Sequence, residues 1–265
     1  MLSFPNAKIN LGLYVTEKRP DGYHNIESCL YPIPLRDVLE IIPANTTSFK
    51  QTGLPIPGDS ADNLCLRAYE LLRNEYDLPP VAIHLHKVIP MGAGLGGGSA
   101  DGAFAIKMLN ERFNLKLGVG EMEQFAAKLG SDCPFFIKNI PAMATGTGTD
   151  LTPIGLDLED LYIGLIFPGV HIGTKEAYSN LRPAKPTSAL IDTIGSDISI
   201  WQGLLQNDFE PAARKNHPDV EKALTVFEKL AASYYAMSGS GSAVFGLFDH
   251  KPSSEHLDYV GQLLG

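Results

Sequence analysis

Pro90-Met91-Gly92-Ala93-Gly94-Leu95-Gly96-Gly97-Gly98-Ser99-Ala100 is the stretch whose reading decides the fold. A strand pattern, Val81 to Ile89, runs into it, and a helical pattern from about Ser99 to Phe113 runs out of it. Glycine lets successive backbone amides turn inward and lets a ligand approach the chain closely. The free amides and positive end of the following helix complete an anion site suited to phosphates. Ser99 and Asp101 stand in capping range of that helix. A flexible connector is the plain alternative, and the crowding of glycines between a strand and a capped helix speaks against it.

Three phosphate-binding patterns are excluded in turn. A Walker A loop ends in Gly-Lys-Ser/Thr, whereas Gly98 precedes Ser99 here. Gly92-x-Gly94-x-x-Gly97 fits the dinucleotide pattern, which also needs a second apolar strand ending in an acid. Asn114 to Gly120 supplies no such strand. A protein kinase would carry His-Arg-Asp and Asp-Phe-Gly downstream, and neither is present.

Outward from the loop, Ala7, Ile9, Leu11, Leu13 and Val15 alternate with Lys8, Asn10, Gly12 and Tyr14. That alternation predicts a half-buried strand with Lys8 and Asn10 side by side on its polar face. Pro20-Asp21-Gly22 reads as a turn, followed by a strand from Tyr23-His24 through Tyr31 and another at Val38–Ile42. Helices are expected over Asp62–Tyr76, with Asp62 as N-cap, and over Gly120–Leu129, closed by Gly130. The later half is expected to hold a strand at Tyr162–Phe167 and helices near Thr174–Leu181 and Val220–Ala232. A Gly/Ser turn, Ser238–Ser242, separates strands Tyr234–Met237 and Ala243–Phe248. Thr152–Asp160 is the candidate linker. Strands and helices mix without steady βαβ alternation, which predicts an α+β architecture in two lobes.

The 265 residues are 44% hydrophobic and 19% charged, enough for a substantial core and against disorder. A net charge of −9 disfavours nonspecific nucleic-acid or membrane-surface binding, so an anionic ligand must be held by local donors. The N-terminus carries no basic and apolar signal pattern, and Tyr162–Val170 is too short to span a bilayer. Cys29, Cys65 and Cys133 are isolated, without metal or disulfide spacing, which fits a reducing compartment and a cytoplasmic protein. His84 and His86 alternate on a strand; with no third ligand in view they read as ordinary strand surface, and no metal site is expected from them.

The glycine stretch resembles the phosphate loop of the GHMP kinases. Three further segments are similar to the branch that phosphorylates the 2-hydroxyl of 4-diphosphocytidyl-2-C-methylerythritol. They are Ala7-Lys8-Ile9-Asn10-Leu11, Asp21-Gly22-Tyr23-His24 and Gly130-Ser131-Asp132-Cys133-Pro134-Phe135-Phe136. The segments keep the family's order over the first half, and Ser238–Ser242 extends the similarity. The resemblance implies a two-lobed GHMP-kinase fold with mixed sheets. Residues 1–155 would form an ATP-binding and catalytic domain, and residues 156–265 a C-terminal domain completing the substrate cleft. It implies ATP as phosphoryl donor, accompanied by Mg2+, and a small-molecule substrate carrying a cytidine diphosphate group, in the non-mevalonate isoprenoid precursor pathway.

Residue by residue, Pro90 to Ala100 would hold ATP, Asp132 would be the catalytic base, and Lys8 its cationic partner. Asn10, Tyr23, His24 and Tyr178 would bind the substrate, the aromatic rings at the cytosine. Each has a plainer alternative: a solvated strand lysine, a helix-exit aspartate, and, for Tyr178, a helix core residue. Ala100, Ser131 and Gly146-Thr147-Gly148-Thr149 depart from the family pattern, which leaves ATP contacts from positions 100, 147 and 149 open. Another GHMP kinase acting on a sugar or mevalonate-type alcohol is the nearest rival, and Tyr23-His24 argues against it. A non-catalytic nucleotide binder is opposed by Lys8 and Asp132.

Overall fold

The computed structural model describes residues 1–179, 181, 183, 184, 186 and 189–263. Its strands are β1 (Leu2–Ser3), β2 (Asn6–Lys18), β3 (His24–Arg36), β4 (Val38–Pro43), β5 (Ser48–Gly53) and β6 (Val81–Lys87). They continue with β7 (Ala142–Thr145), β8 (Asp150–Pro153), β9 (Tyr162–Ile166), β10 (Tyr234–Met237), β11 (Val244–Phe248) and β12 (Tyr259–Gln262). The helices are α1 (Leu64–Tyr76), α2 (Gly97–Arg112), α3 (Val119–Leu129) and α4 (Phe135–Lys138), then α5 (Thr174–Ser179), α6 (Leu190–Ile194), α7 (Glu210–Asn216) and α8 (Pro218–Lys229). Strands and helices form an α+β fold with the glycine-rich loop between β6 and α2, as expected.

Contacts group the chain into two units that interleave along the sequence. The first comprises residues 1–7, 35–91 and 96–140; the second comprises 8–34, 92–95 and 141–265. In the first, strands run in the order β1-β4-β6-β5, with β4 antiparallel and β5 parallel to β6, a mixed sheet. Along β6, Val81, Ile83, Leu85 and Lys87 are buried, so the period-2 row facing the core ends in a lysine. Helices α1, α2 and α3 crowd at Gly102, where a Cβ would stand 2.9 Å from Leu64 Cβ and 3.2 Å from Leu129 Cδ1.

Helix starts differ from expectation, α3 by one residue and α8 by two, and the differences at α1 and α2 bear on the site. The N-cap of α1 is Asn63, whose side chain accepts from Cys65 N–H at 2.9 Å, while Asp62 ends a short 3-10 turn. Helix α2 begins at Gly97, two residues early, and its N-cap Gly96 contributes no side-chain bond. Ser99 and Asp101 are therefore inside the helix. Asp101 does not cap it but is buried.

The second unit holds two antiparallel sheets, β2-β3-β7-β8 and β10-β11-β9-β12. Its core gathers Leu13 and Val15 of β2, Phe209 and Ala213 of the α7 region, Val220, Leu224 and Phe227 of α8, and Met237, Val244 and Phe248. Gly164 and Gly246 are register partners on neighbouring strands β9 and β11. Both lie under the Phe227 ring; a Cβ on Gly246 would come within 2.4 Å of Phe227 Cδ1. Missing side chains at this pair let α8 settle on the sheet. The expected linker is tied into the unit: β8 runs to Pro153, and Leu158 is buried with its N–H donating to Tyr31 Oη at 3.2 Å.

Strands β2 and β3 outrun their predicted lengths, and the short elements β1, β5, β7, β8, β12, α4, α6 and α7 add to the expected set. The helix expected near Thr174–Leu181 is seen as Thr174–Ser179; position 180 lies outside the described residues. Among the described residues no helix is long and apolar enough to cross a membrane.

The Gly246–Phe227 contact yields a stability prediction. Gly246→Ala should lose about 1–3 kcal/mol, the usual cost of overpacking a filled core. Phe227→Leu in the same chain should recover part of that loss, because contacting residues couple. Urea unfolding midpoints measure both, and an unshifted midpoint for Gly246→Ala would remove the packing account.

Candidate active site

Strand β2 delivers Lys8 and Asn10 to the second unit, and both are buried: Lys8 is only 3% exposed. The solvated reading of Lys8 is therefore overturned, and the strand is buried on both faces over Ala7–Leu13. The Lys8 ammonium donates to Asn10 Oδ1 and, at 2.9 Å, to the carbonyl oxygen of Gly94 in the glycine loop. Its own N–H donates to Leu95 O at 2.9 Å. Asn10 passes the network on: its Nδ2 donates to Ser28 Oγ (2.8 Å), and that hydroxyl donates to Gly12 O (2.6 Å). Buried polar groups are costly when unpaired, and this chain of donors and acceptors pairs them.

Three residues of the second unit, Lys8, Ser238 and Ala243, fasten the first half of the glycine loop, Gly92–Leu95. Besides Lys8, Ser238 Oγ donates to Gly94 O at 2.9 Å and accepts from Asn10 N–H at 3.3 Å. Ala243 N–H donates to Ala93 O at 3.1 Å. The Gly/Ser turn is itself held by Asn207, whose Nδ2 donates to Met237 O (2.7 Å) and Gly239 O (2.8 Å). Gly92, Gly94 and Gly96 adopt φ of +67°, +78° and +69°, alternating with Ala93 and Leu95. Such alternation turns successive N–H groups to one side and builds an anion-binding concavity. At Gly94 even a methyl group is excluded, since a Cβ would stand 2.0 Å from Ser238 O. At Gly92 it would stand 2.7 Å from the His171 ring.

The aromatic candidates also meet in the second unit. His24 and Tyr178 are stacked, with ring centroids 4.7 Å apart and planes at 23°. Tyr178 is braced edge-on by the core ring of Phe209, with centroids 4.8 Å apart. Tyr178 is thus both the ring partner of His24 and a residue packed against the core. Tyr23 differs: it is 68% exposed, and its N–H donates to Asp21 Oδ1 in the turn before it at 3.0 Å.

The first unit supplies the helix end and the aspartate. Gly97, Gly98 and Ser99 open α2, and the first amides of an α-helix have no partner within it. Ala100 is buried, and its N–H is already given to Gly96 O at 2.9 Å. Asp132 sits half-buried in the turn after α3, which Cys133 N–H closes on Gly130 O at 3.2 Å. The Cys133 thiol is hydrogen-bonded by Ser99, which ties the aspartate's turn to the first turn of α2. Burial pushes that thiol up to about 11 and Cys29 up to about 12, so neither serves as a thiolate nucleophile near neutral pH. Lys8 belongs to the second unit and Asp132 to the first.

His84 and His86 flank the hydroxyl of Thr52 at 2.9 and 3.0 Å, as strand surface residues do. The described residues hold no cluster of three or more His, Cys, Asp or Glu side chains suited to a metal. Thr147 and Thr149 face one another in an exposed turn, hydroxyl to hydroxyl at 3.3 Å. A cavity of about 490 Å³ in the second unit, between the start of α7 and Tyr235, contains none of the predicted site residues. Ser28 and Asn207 escaped the sequence reading. Neither belongs to a motif, and only the partners brought by the fold reveal its part.

Comparison with known proteins follows the same lines. Family models match twice: GHMP kinases N terminal domain over residues 63–139, and GHMP kinases C terminal over residues 189–260. A 4-diphosphocytidyl-2-C-methyl-D-erythritol kinase of Cytophaga hutchinsonii is 51% identical over 257 residues, 97% of this chain and 95% of that protein. The Parabacteroides distasonis protein of the same name is 49% identical over 253 residues, covering 96% and 93%. A crystal structure of 4-(cytidine 5'-diphospho)-2C-methyl-D-erythritol kinase superposes with a TM-score of 0.82 at 31% identity, covering 93% of this chain and 90% of that one.

The closeness of Gly94 to Ser238 O makes Gly94→Ala a test of the loop. The variant should fold but bind ATP at least about tenfold more weakly, a loss of ~1.4 kcal/mol. Gly58→Ala is the control for left-handed strain alone, with φ +98° and no atom near its Cβ, and should bind ATP normally. Calorimetric titration with ATP decides; wild-type affinity for Gly94→Ala would detach the loop's shape from nucleotide binding.

Proposed function

We infer, from the premise that this chain belongs to the GHMP kinase family, that it moves the γ-phosphate of ATP to the 2-hydroxyl of 4-diphosphocytidyl-2-C-methyl-D-erythritol. The product is an intermediate of non-mevalonate isoprenoid precursor synthesis. The observation that carries the reading is the buried Lys8 ammonium seated on the glycine loop at Gly94 O. Relatives with this substrate in their names, alike over nearly the whole chain, support this alcohol over a sugar or mevalonate acceptor.

The chemistry asks for an oriented hydroxyl, a proton acceptor and neutralisation of charge on the transferring group. The loop amides and the α2 N-terminus would bind the phosphates. Lys8, with its ammonium at the loop, would stabilise negative charge on the transferring phosphoryl group. Asp132 would take the hydroxyl proton. A loose transition state asks little basicity of it, because the proton leaves late. Mg2+, which would shield the phosphates, is expected with the nucleotide. The loop fits that role as a cradle for the metal–nucleotide complex, with Ser99 as the nearest hydroxyl at the helix start. At the other end of the substrate, the exposed Tyr23 ring would stack on cytosine. His24 would bond the base edge, Tyr178 would back it, and Asn10 would place both Lys8 and the alcohol. By segment, ATP binding and catalysis fall to residues 1–155, and residues 156–265 contribute to the substrate side. ATP as donor and three unpaired thiols support a cytoplasmic location.

Two measurements test this. Asp132→Asn should keep the fold and ATP affinity while cutting kcat about 10²–10⁴-fold, the range of general-base contributions; near-normal turnover by the folded variant would take Asp132 out of the base role. A substrate with uracil in place of cytosine should lose roughly ten- to a hundredfold in kcat/KM, since a wrong base leaves polar groups unpaired. Tyr23→Ala should raise KM for both, at about 1–3 kcal/mol per stacked base. Equal use of the two bases, with Tyr23→Ala silent, would return the substrate to an unassigned alcohol.

A further inference from the structure

The row of β6 that faces the core reads Val81, Ile83, Leu85, Lys87, and Lys87 is only 1% exposed. An ammonium is tolerated there only if paired. Its partners are Asp37, just before β4, and Asp101 of α2, the latter at 2.9 Å, and both carboxylates are buried. All three residues lie in the first unit.

Each member holds one stem of the glycine loop. Asp37 Oδ1 accepts from Val88 N–H at 2.6 Å and Ile89 N–H at 2.9 Å, fixing the exit of β6 just before Pro90. Asp101 lies one turn into α2, so its bond to Lys87 ties that exit to the helix start. The ammonium itself reaches under the first helical turn: a Cβ on Gly97 would stand 2.9 Å from Lys87 Nζ and 2.7 Å from Ile89 Cγ2. Gly97 is therefore glycine not for its dihedral angles but because the Ile89 side chain and the Lys87 ammonium fill the space beneath it.

We propose that Asp37, Lys87 and Asp101 are positioning residues for ATP. They lock both stems of the glycine loop together and keep a cation under the helix end that receives the phosphates.

A purely stabilising role is a weaker explanation, because replacing a buried ion pair with uncharged residues of similar volume often costs a protein nothing. The charge balance agrees. Asp101 Oδ1 is buried without a hydrogen-bond partner, an expensive state for an anionic oxygen. Burial holds the Asp101 carboxyl well above the usual carboxylate range, with Lys87 pulling it down and Asp37 adding to the rise. Burial also pulls the Lys87 ammonium down, but the two carboxylates outweigh it and it stays charged.

The proposal rests on the reading of the glycine loop as the ATP site, and the test separates the two. ATP and the cytidylated alcohol are titrated calorimetrically onto wild type, Asp101→Asn, Lys87→Met and the uncharged pair Lys87→Met with Asp37→Asn. The pair is included because Lys87→Met alone strands a buried carboxylate and can fail to fold. Folded uncharged variants should bind ATP about tenfold or more weakly, raise KM for ATP to match, and keep alcohol binding within about twofold. Asp101→Asn, which keeps the volume but gives up the charged hold on Lys87, should lose ATP affinity in the same direction. A folded Lys87→Met/Asp37→Asn protein with unchanged ATP affinity, or equal losses for both substrates, overturns the positioning role. Wild-type ATP affinity in a folded Asp101→Asn protein removes Asp101 from the positioning role. Wild type that takes up no ATP overturns the reading of the loop and the proposal with it.

Discussion

One carbonyl oxygen organises the second unit's share of the site. Gly94 O accepts from Lys8 Nζ and from Ser238 Oγ, both at 2.9 Å, and two lone pairs are all a carbonyl has. The two donors come from opposite ends of the chain, so a single acceptor fixes strand β2, the glycine loop and the Gly/Ser turn together. Either donor, once removed, leaves its partners buried and short of a bond, at about 1–3 kcal/mol per group. The cost spreads, because Lys8 also bonds Asn10, Asn10 bonds Ser28, and Ser28 bonds Gly12. The positive φ of Gly94 and its contact with Ser238 O follow from the same demand: the carbonyl faces both donors only if the backbone comes close.

Charge explains why these donors must be buried. A chain with net charge −9 repels ATP and a diphosphate-bearing alcohol at long range. Attraction has to be local, and a charge shielded from water acts more strongly over a few ångströms than one on the surface. Two buried cations lie along the glycine loop: Lys8 at the loop's first half, and Lys87 beneath the start of α2, where Asp37 and Asp101 pair it. Both also belong to strands, whose rigid two-residue period holds a long flexible side chain to one line of approach.

Much of this was legible in the sequence, and the rest was hidden for physical reasons. The strand–glycine–helix passage at residues 81–113 is a local pattern, and so is the strand about Lys8. The burial of the polar face of β2 is not local. It comes from the glycine loop and from Ser238, 86 and 228 positions away, so alternation alone predicted a wet face. The α1 cap slipped by one residue because Asp62 and Asn63 are both good caps, and tertiary context chose Asn63. Ser99 and Asp101 looked like caps because short polar side chains usually are; glycine's tolerance of φ +69° at Gly96 let the helix begin earlier and turned Asp101 inward. Lys87 was the missed signal. It falls in register with Val81, Ile83 and Leu85, and a charge in a core-facing row of a strand calls for a buried counter-charge by its position alone.

Tyr23 and His24 show how adjacent residues acquire different physical characters. His24 is the first residue of β3, and its ring is pinned against Tyr178, itself braced by Phe209 of the core. Tyr23 closes the preceding turn, anchored at its backbone and with its ring open to solvent. A ring pinned through two others to a packed core keeps its nitrogens in fixed directions, which hydrogen-bond discrimination between bases requires. An exposed ring contributes area and a π-face, which every base can use. Adjacent in sequence, the two rings thus differ in what holds them: His24 is braced through Tyr178 to the core, and Tyr23 stands in solvent.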